Sequence, residues 1–331
     1  MAAEVTYHNR RAVQLENDIL RLTVTVEGGH IAEILDKASG VNPLWIPPWR
    51  SIEPSTYSAA GHPEYGANVE SRLLCGIMGH NLCLDLFGPP SEEEAAAGVD
   101  VHGEASVVPY EITASGAELT ARCRMPIAQL AFERQIRLVG RRVAIVETVE
   151  NLSALDRPIA WTQHVTLGPP FLERGATQFR APSVKSEAIA GSPQNLERFT
   201  GEEVSGGVTT HLMDPGQEQS YFTAWSPSSQ LAFGYVWRRA DFPWLGVWEE
   251  NRSRTHAPWN GLTLTRGMEF GVSPVPETRK QMIERGKMFD TPGYRWIPAR
   301  SRIRAEYHAG IAPARTIPDT LDRFNALILP T

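Results

Sequence analysis

Three short segments carry side chains able to move protons. Val101-His102-Gly103-Glu104-Ala105 sets a histidine on a glycine turn after an acidic, helical loop. Trp161-Thr162-Gln163-His164-Val165-Thr166-Leu167-Gly168 sets a second histidine in a strand-like run that ends at Pro169-Pro170-Phe171. Gly267-Met268-Glu269-Phe270-Gly271 sets a glutamate in an apolar strand late in the chain. Imidazole changes protonation at its ordinary pKa of about 6.5. A carboxyl needs burial to titrate there, and Glu269, between Met268 and Phe270, gains it if it points inward. A histidine and a glutamate matched in this way remove one proton and deliver another without a cofactor.

Plainer fates are open to the same residues. Glu269 could alternate out to solvent while Met268 and Phe270 face the core, or it could pair with Arg266. His164 could be a satisfied core histidine, and Arg72 could form a structural ion pair with Glu70 or Glu64. Nine tryptophans add a further signal. Trp45 and Trp49 flank the rigid Ile46-Pro47-Pro48, and Trp244, Trp248 and Trp259 cluster late. Indole faces pack against sugar C–H surfaces and carry one hydrogen-bond donor. Most tryptophans in a large sandwich serve packing, and Trp161 and Trp248 are singled out because they neighbour the strands above.

Other chemistries lack their residues. There is no Walker loop, G-x-G-x-x-G, G-x-S-x-G or H-E-x-x-H. His102-Gly103-Glu104 matches half of a zinc-deaminase signature, but the P-C-x-x-C half is absent. His62, His80 and His102 match no compact metal-ligand spacing. Cys75, Cys83 and Cys123 make neither a disulfide framework nor a C-x-x-C pair. The 32 basic and 38 acidic residues are interspersed, for a net charge of −6, and no basic stretch suits a phosphate backbone. No apolar run reaches the roughly 18 residues of a membrane span. No charged and apolar leader opens the sequence. These features predict a soluble, cytoplasmic protein with no nucleic-acid or membrane partner, and none specifies an oligomeric state.

Strand signals dominate the elements that must position these residues. Leu22, Val24 and Val26 alternate and stop at Gly28-Gly29. Residues Glu118 to Asn151 alternate through Leu119, Ala121 and Cys123, resume in Phe132, Ile136 and Leu138, and turn at Gly140-Arg141 into Val143, Ile145 and Glu147. Further strands are predicted at Ile159–Leu167, Ser220–Trp225, Leu231–Trp237, Gly246–Glu250, Met268–Ser273 and Ile303–Ile311. Short helices are predicted at Ser91–Gly98, with a serine cap and acidic first turn, at Pro276–Lys287 and at Asp319–Leu329. The 25 prolines and 27 glycines mark no linker, so one all-β unit over 1–331 is predicted.

The order of these segments, with Glu27-Gly28-Gly29-His30-Ile31 and Ile34-Leu35-Asp36 ahead of them, resembles the aldose 1-epimerase (galactose mutarotase) family over roughly residues 5 to 310. The resemblance implies a large antiparallel β-sandwich of the galactose-mutarotase type with a few short helices. It also implies interconversion of sugar anomers, with a sugar or sugar derivative as partner and no metal or cofactor. Carried over residue by residue, it implies His164 as general acid, Glu269 as general base and His102 as a supporting histidine. Arg72 falls where the family places a substrate-binding arginine, and Gln163, Trp161 and Trp248 join it as candidate sugar contacts. The chain departs from the pattern in three places. Gln163 stands where the family has Asn, Glu70-Ser71 precede Arg72 where it has Asn, and its sugar-binding aspartate has no match. Asp214 and Asp241 lie in that interval without the expected surroundings.

Three other readings share the fold. One is a carbohydrate-binding protein without catalysis. Another is a polysaccharide lyase or hydrolase, which calls for a helical domain or export signal. The third is a hexose-phosphate mutarotase, which requires arginines such as Arg50, Arg72 and Arg174 to converge.

Overall fold

A computed structural model describes residues 2–201 and 203–329. Four strands open the chain: β1 (Ala2–Tyr7), β2 (Arg10–Glu16), β3 (Leu20–Thr25) and β4 (Ile31–Asp36). After a long loop come β5 (His80–Asp85), β6 (Glu111–Ser115), β7 (Glu118–Met125), β8 (Leu130–Val139), β9 (Arg142–Asn151) and β10 (Arg157–Leu167). The next group is β11 (Gln178–Arg180), β12 (Ser183–Gly191), β13 (Ser205–Met213), β14 (Gln219–Ser226), β15 (Leu231–Arg238), β16 (Trp244–Asn251) and β17 (Leu264–Gly271). Short β18 (Lys287–Met288), β19 (Thr291–Pro292) and β20 (Arg295–Ile297) precede the long β21 (Arg302–Pro313).

These strands build two large antiparallel sheets. The larger runs β1-β2-β3-β4-β5-β10-β17-β16-β13-β12, with β20 also on β10. The smaller runs β11-β14-β15-β21-β9-β8-β7-β6. Alternation decides which face each residue takes. In β8, Leu130, Phe132, Ile136 and Leu138 are buried while Gln135 and Arg137 are exposed. Their inward side chains meet Trp161, Val165, Met268 and Phe270 of the larger sheet in one continuous apolar core. All the strands expected from the sequence are present, within one to four residues at their ends.

The three expected helices form as short elements. Glu92–Ala96 and Arg279–Arg285 each start in a capping box, on Ser91 with Glu94 and on Thr278 with Gln281. The third, Leu321–Ile328, lays Phe324 and Ile328 on the smaller sheet. No described helix is long and apolar enough to cross a membrane.

Candidate active site

The outer face of the larger sheet, turned away from the sandwich core, carries His164 and Glu269, and a loop brings His102 beside them. Strand β10 pairs with β17 so that His164 stands opposite Glu269, and with β5 so that it also stands opposite Asn81. Beyond Glu269 the same row continues through Gly246 of β16 to Thr210 of β13. His164 Nε2 lies 3.1 Å from Glu269 Oε1. The two atoms are close but poorly aligned, and Oε1 receives no well-directed hydrogen bond. His164 Nδ1 lies 3.1 Å from the hydroxyl of Thr166.

An apolar cluster adjoins this pair through Trp248. Trp45, Leu73, Leu74, Ile77, Val107 and Trp259 form a second apolar cluster, with Trp49 and Trp248 packed against it. His164 and Glu269 are left 6% and 4% exposed, so little solvent screens either. Burial alone pushes the Glu269 carboxyl up to about 8. Burial, followed by the neighbouring His102, holds His164 well below its ordinary 6.5. Both shifts favour the uncharged forms, a protonated carboxyl beside a neutral imidazole.

His102 arrives from the loop after the helix Glu92–Ala96. Its backbone is left-handed, at φ 69°, and so is Gly103, at φ 81°. A side chain at Gly103 would overlap the Leu84 carbonyl, which is why glycine must follow this histidine. His102 Nδ1 is 2.7 Å from the Phe87 carbonyl. A carbonyl only accepts, so Nδ1 carries the hydrogen and Nε2 is the ring's free acceptor. Burial and the Arg254 charge, against the Phe87 hydrogen bond, lower His102 to about 4. Its ring lies 5.1 Å from that of His164.

Trp248 completes the group, half-buried, with its ring 5.8 Å from His164 and 6.0 Å from Trp259. Trp45 stacks on Trp259 and Trp49 meets both edge-on. Arg254, which the sequence did not single out, lies over Trp259 and Trp248 at 4.8 and 5.7 Å. Glu70 and Glu250 each flank it at 3.5 Å. Buried polar atoms on the same face also lack protein partners: both amide atoms of Asn81 and the hydroxyls of Thr162 and Thr210.

Two expected sugar contacts lie elsewhere. Trp161 and Gln163 alternate with His164, so they point into the core between the sheets, fully buried. Trp161 Nε1 donates to Glu147 at 3.0 Å, and Gln163 Nε2 donates to the same carboxylate at 2.6 Å. Their assignment as sugar-binding residues is corrected. Arg72 is engaged by Asp100, through Nε at 2.7 Å and through Nη2, and by the Gly98 carbonyl at 3.3 Å. Its partner is neither Glu70 nor Glu64, and the pair braces the loop leading into His102. Arg266 pairs with Glu249 at 2.8 Å and leaves Glu269 alone. Asp241 is held by Arg238, and Asp214 caps a turn at Gly216. His62 contacts the Ser58 amide on an exposed loop, and His80 is buried between the sheets, so neither joins His102.

A surface depression of about 700 Å³ opens on the other sheet, beside Arg142, Arg238, Arg304 and His308. Arg238 and Arg304 there are paired with Asp241 and Glu306, and His102, His164 and Glu269 do not line it.

Solved structures share this architecture throughout. A candidate aldose 1-epimerase from Klebsiella pneumoniae superposes with a TM-score of 0.72 at 14% identity, covering 96% of this chain and 82% of that one. The fold is that of the galactose mutarotases. A galactose mutarotase-like protein from Clostridium acetobutylicum gives a TM-score of 0.62 at 12% identity, over 95% of this chain and 98% of that one. One from Lactobacillus casei gives 0.61 at 12% identity, over 91% and 99%. No family profile and no curated protein matches the sequence. The mutarotase fold is thus carried here by a sequence only 12 to 14% identical to these three.

Proposed function

We propose that this protein interconverts the anomers of a sugar by acid–base ring opening at His164 and Glu269. The observation that carries the reading is the 3.1 Å approach of an imidazole and a carboxyl on a buried sheet face. The mutarotase-like names of the solved neighbours support it.

The chemistry needs one acid and one base at once. A base removes the proton from the C1 hydroxyl, and its electron pair becomes the second bond of the C1 carbonyl. The C1–O5 bond breaks, and O5 takes its electrons and a proton from the acid. Rotation about C1–C2 and the reverse steps give the other anomer, so each residue must both lose and regain a proton. In the assignment of His164 as acid and Glu269 as base, the shared proton has crossed to the imidazole. Bound hydroxyl groups favour that charged form by replacing part of the solvation that burial removed.

The surroundings suit a polyhydroxylated ring. His102 Nε2 offers an acceptor, and Asn81, Thr162 and Thr210 offer polar atoms with no protein partner. Gly246 leaves the floor beside Glu269 without a side chain. Trp248 offers an indole face at the edge. A carbohydrate-binding protein without catalysis is the second reading, favoured by the capture of Arg72 by Asp100. Anomer exchange followed by NMR, wild type against Glu269→Gln, separates the two.

A further inference from the structure

A polar knot lies directly behind the proposed catalytic pair, inside an otherwise apolar core. Its hub is Glu147 of β9, fully buried, as is its partner Arg134 of β8. Glu147 Oε1 accepts from Arg134 Nε at 2.7 Å and from the Tyr307 hydroxyl at 2.6 Å. Oε2 accepts from Trp161 Nε1 at 3.0 Å and from Gln163 Nε2 at 2.6 Å. On the far side, Gln163 Oε1 is 2.9 Å from His80 Nε2, and His80 Nδ1 is 3.0 Å from the Tyr235 hydroxyl. An amide oxygen only accepts, so His80 carries its hydrogen on Nε2 and Tyr235 donates to Nδ1. The bonds then run in one sense, from Tyr235 through His80 and Gln163 to Glu147.

Such a knot costs desolvation, and a buried ion pair is frequently no more stable than apolar residues of the same volume. What it supplies is register. A one-residue slip of β10 would turn Gln163 outward and drive His164 into the core. It would also take the Trp161 and Gln163 donors away from the Glu147 carboxylate, a heavy penalty in a dry interior. Gln163 has the length and the paired donor and acceptor needed to bridge Glu147 and His80. That accounts for glutamine immediately before the histidine.

We propose that Glu147 and Gln163 are positioning residues: acting through β10 from behind, they hold His164 at its approach to Glu269. The inference rests on the His164/Glu269 reading for its effect on rate, while its effect on His164 itself is measurable separately. The test compares wild type with Gln163→Met, which keeps bulk and the Glu147–Arg134 pair. A gentler variant, Tyr307→Phe, removes one hydroxyl and no bulk. The His164 imidazole NMR signal is assigned by its loss in His164→Gln. For Gln163→Met we expect a shifted His164 signal and a kcat lower by about tenfold to a hundredfold, with KM within about twofold. Tyr307→Phe should move both in the same direction by less, and it carries the test if Gln163→Met does not fold. Folded variants with an unchanged His164 signal and unchanged kcat overturn the proposal. If wild type accelerates exchange of no sugar, the anomerase reading falls, and the His164 signal alone still decides whether the knot positions that ring.

Discussion

His164 and Glu269 face one another because β10 and β17 pair them in register, and both are buried on the outer face of the sheet. Their closeness is thus a property of the sheet itself, as is the place of Trp248 on β16, whereas His102, Trp45, Trp49 and Trp259 are brought by loops. Sites built on strands hold geometry more tightly than sites built on loops.

Activity should depend on pH through this pair. One proton must be present on it, and burial holds that proton on Glu269 up to about pH 8. We expect kcat/KM to be flat around neutrality and to fall about tenfold per pH unit well above 8, as the proton is lost. On the acid side the fall begins where His164 takes a second proton, well below 6.5. The absence of a basic limb near pH 8 would contradict a desolvated Glu269.

Stability should show the same burial. Folded Glu269 keeps its proton to about pH 8, and unfolded Glu269 loses it at its ordinary 4.5. Between those values the folded state binds more protons, so stability from this group falls as pH rises from 4.5 to 8 and is level above. Glu269→Gln removes that slope. Denaturant unfolding at pH 9 should find the variant more stable, by at most about 5 kcal/mol. The buried histidines have the opposite sign. His102 titrates at about 4 when folded and near 6.5 unfolded, so its contribution is present above 6.5 and is lost as pH falls toward 4.

Gly267 tests the carboxyl's position without touching its chemistry. A Cβ at this residue would overlap Glu269 Oε1. Gly267→Ala should displace the carboxyl while the strand remains paired. We expect an unchanged circular dichroism spectrum with activity reduced about a hundredfold, since small misplacements of reacting groups cost that much. Wild-type activity in this variant would place the working carboxyl elsewhere.

Trp248 tests the wall. Its half-buried ring lies beside His164. Trp248→Ala should raise KM roughly fivefold, for a lost contact of about 1 kcal/mol, with a smaller change in kcat. A kcat loss at constant KM would assign the ring to proton transfer geometry instead of to sugar packing.

Much of this was legible in the sequence, for physical reasons that differ by residue. Strict alternation in β7, β8 and β9 announced a half-buried sheet, and Ser91 and the acidic turn after it announced a capped helix. Gly103 was a true signal, because only glycine fits against the Leu84 carbonyl. Alternation also held the information that Trp161 and Gln163 oppose His164, since odd and even residues of a strand take opposite faces. Proximity in sequence was misleading there. Arg254 escaped notice because Glu70 comes from far along the chain and only the fold sets the guanidinium over Trp248 and Trp259, although both and Glu250 are its near neighbours in sequence. The Asp100 partner of Arg72 was hidden for the same reason.

The most direct measurement is anomer exchange by NMR across neutral aldoses, uronic acids and sugar phosphates, with wild type and Glu269→Gln side by side. The account predicts that wild type speeds exchange of at least one sugar, and that the variant, still folded, loses that acceleration by at least about a thousandfold. Wild type without acceleration on any sugar, or a Glu269→Gln variant as fast as wild type, would contradict it.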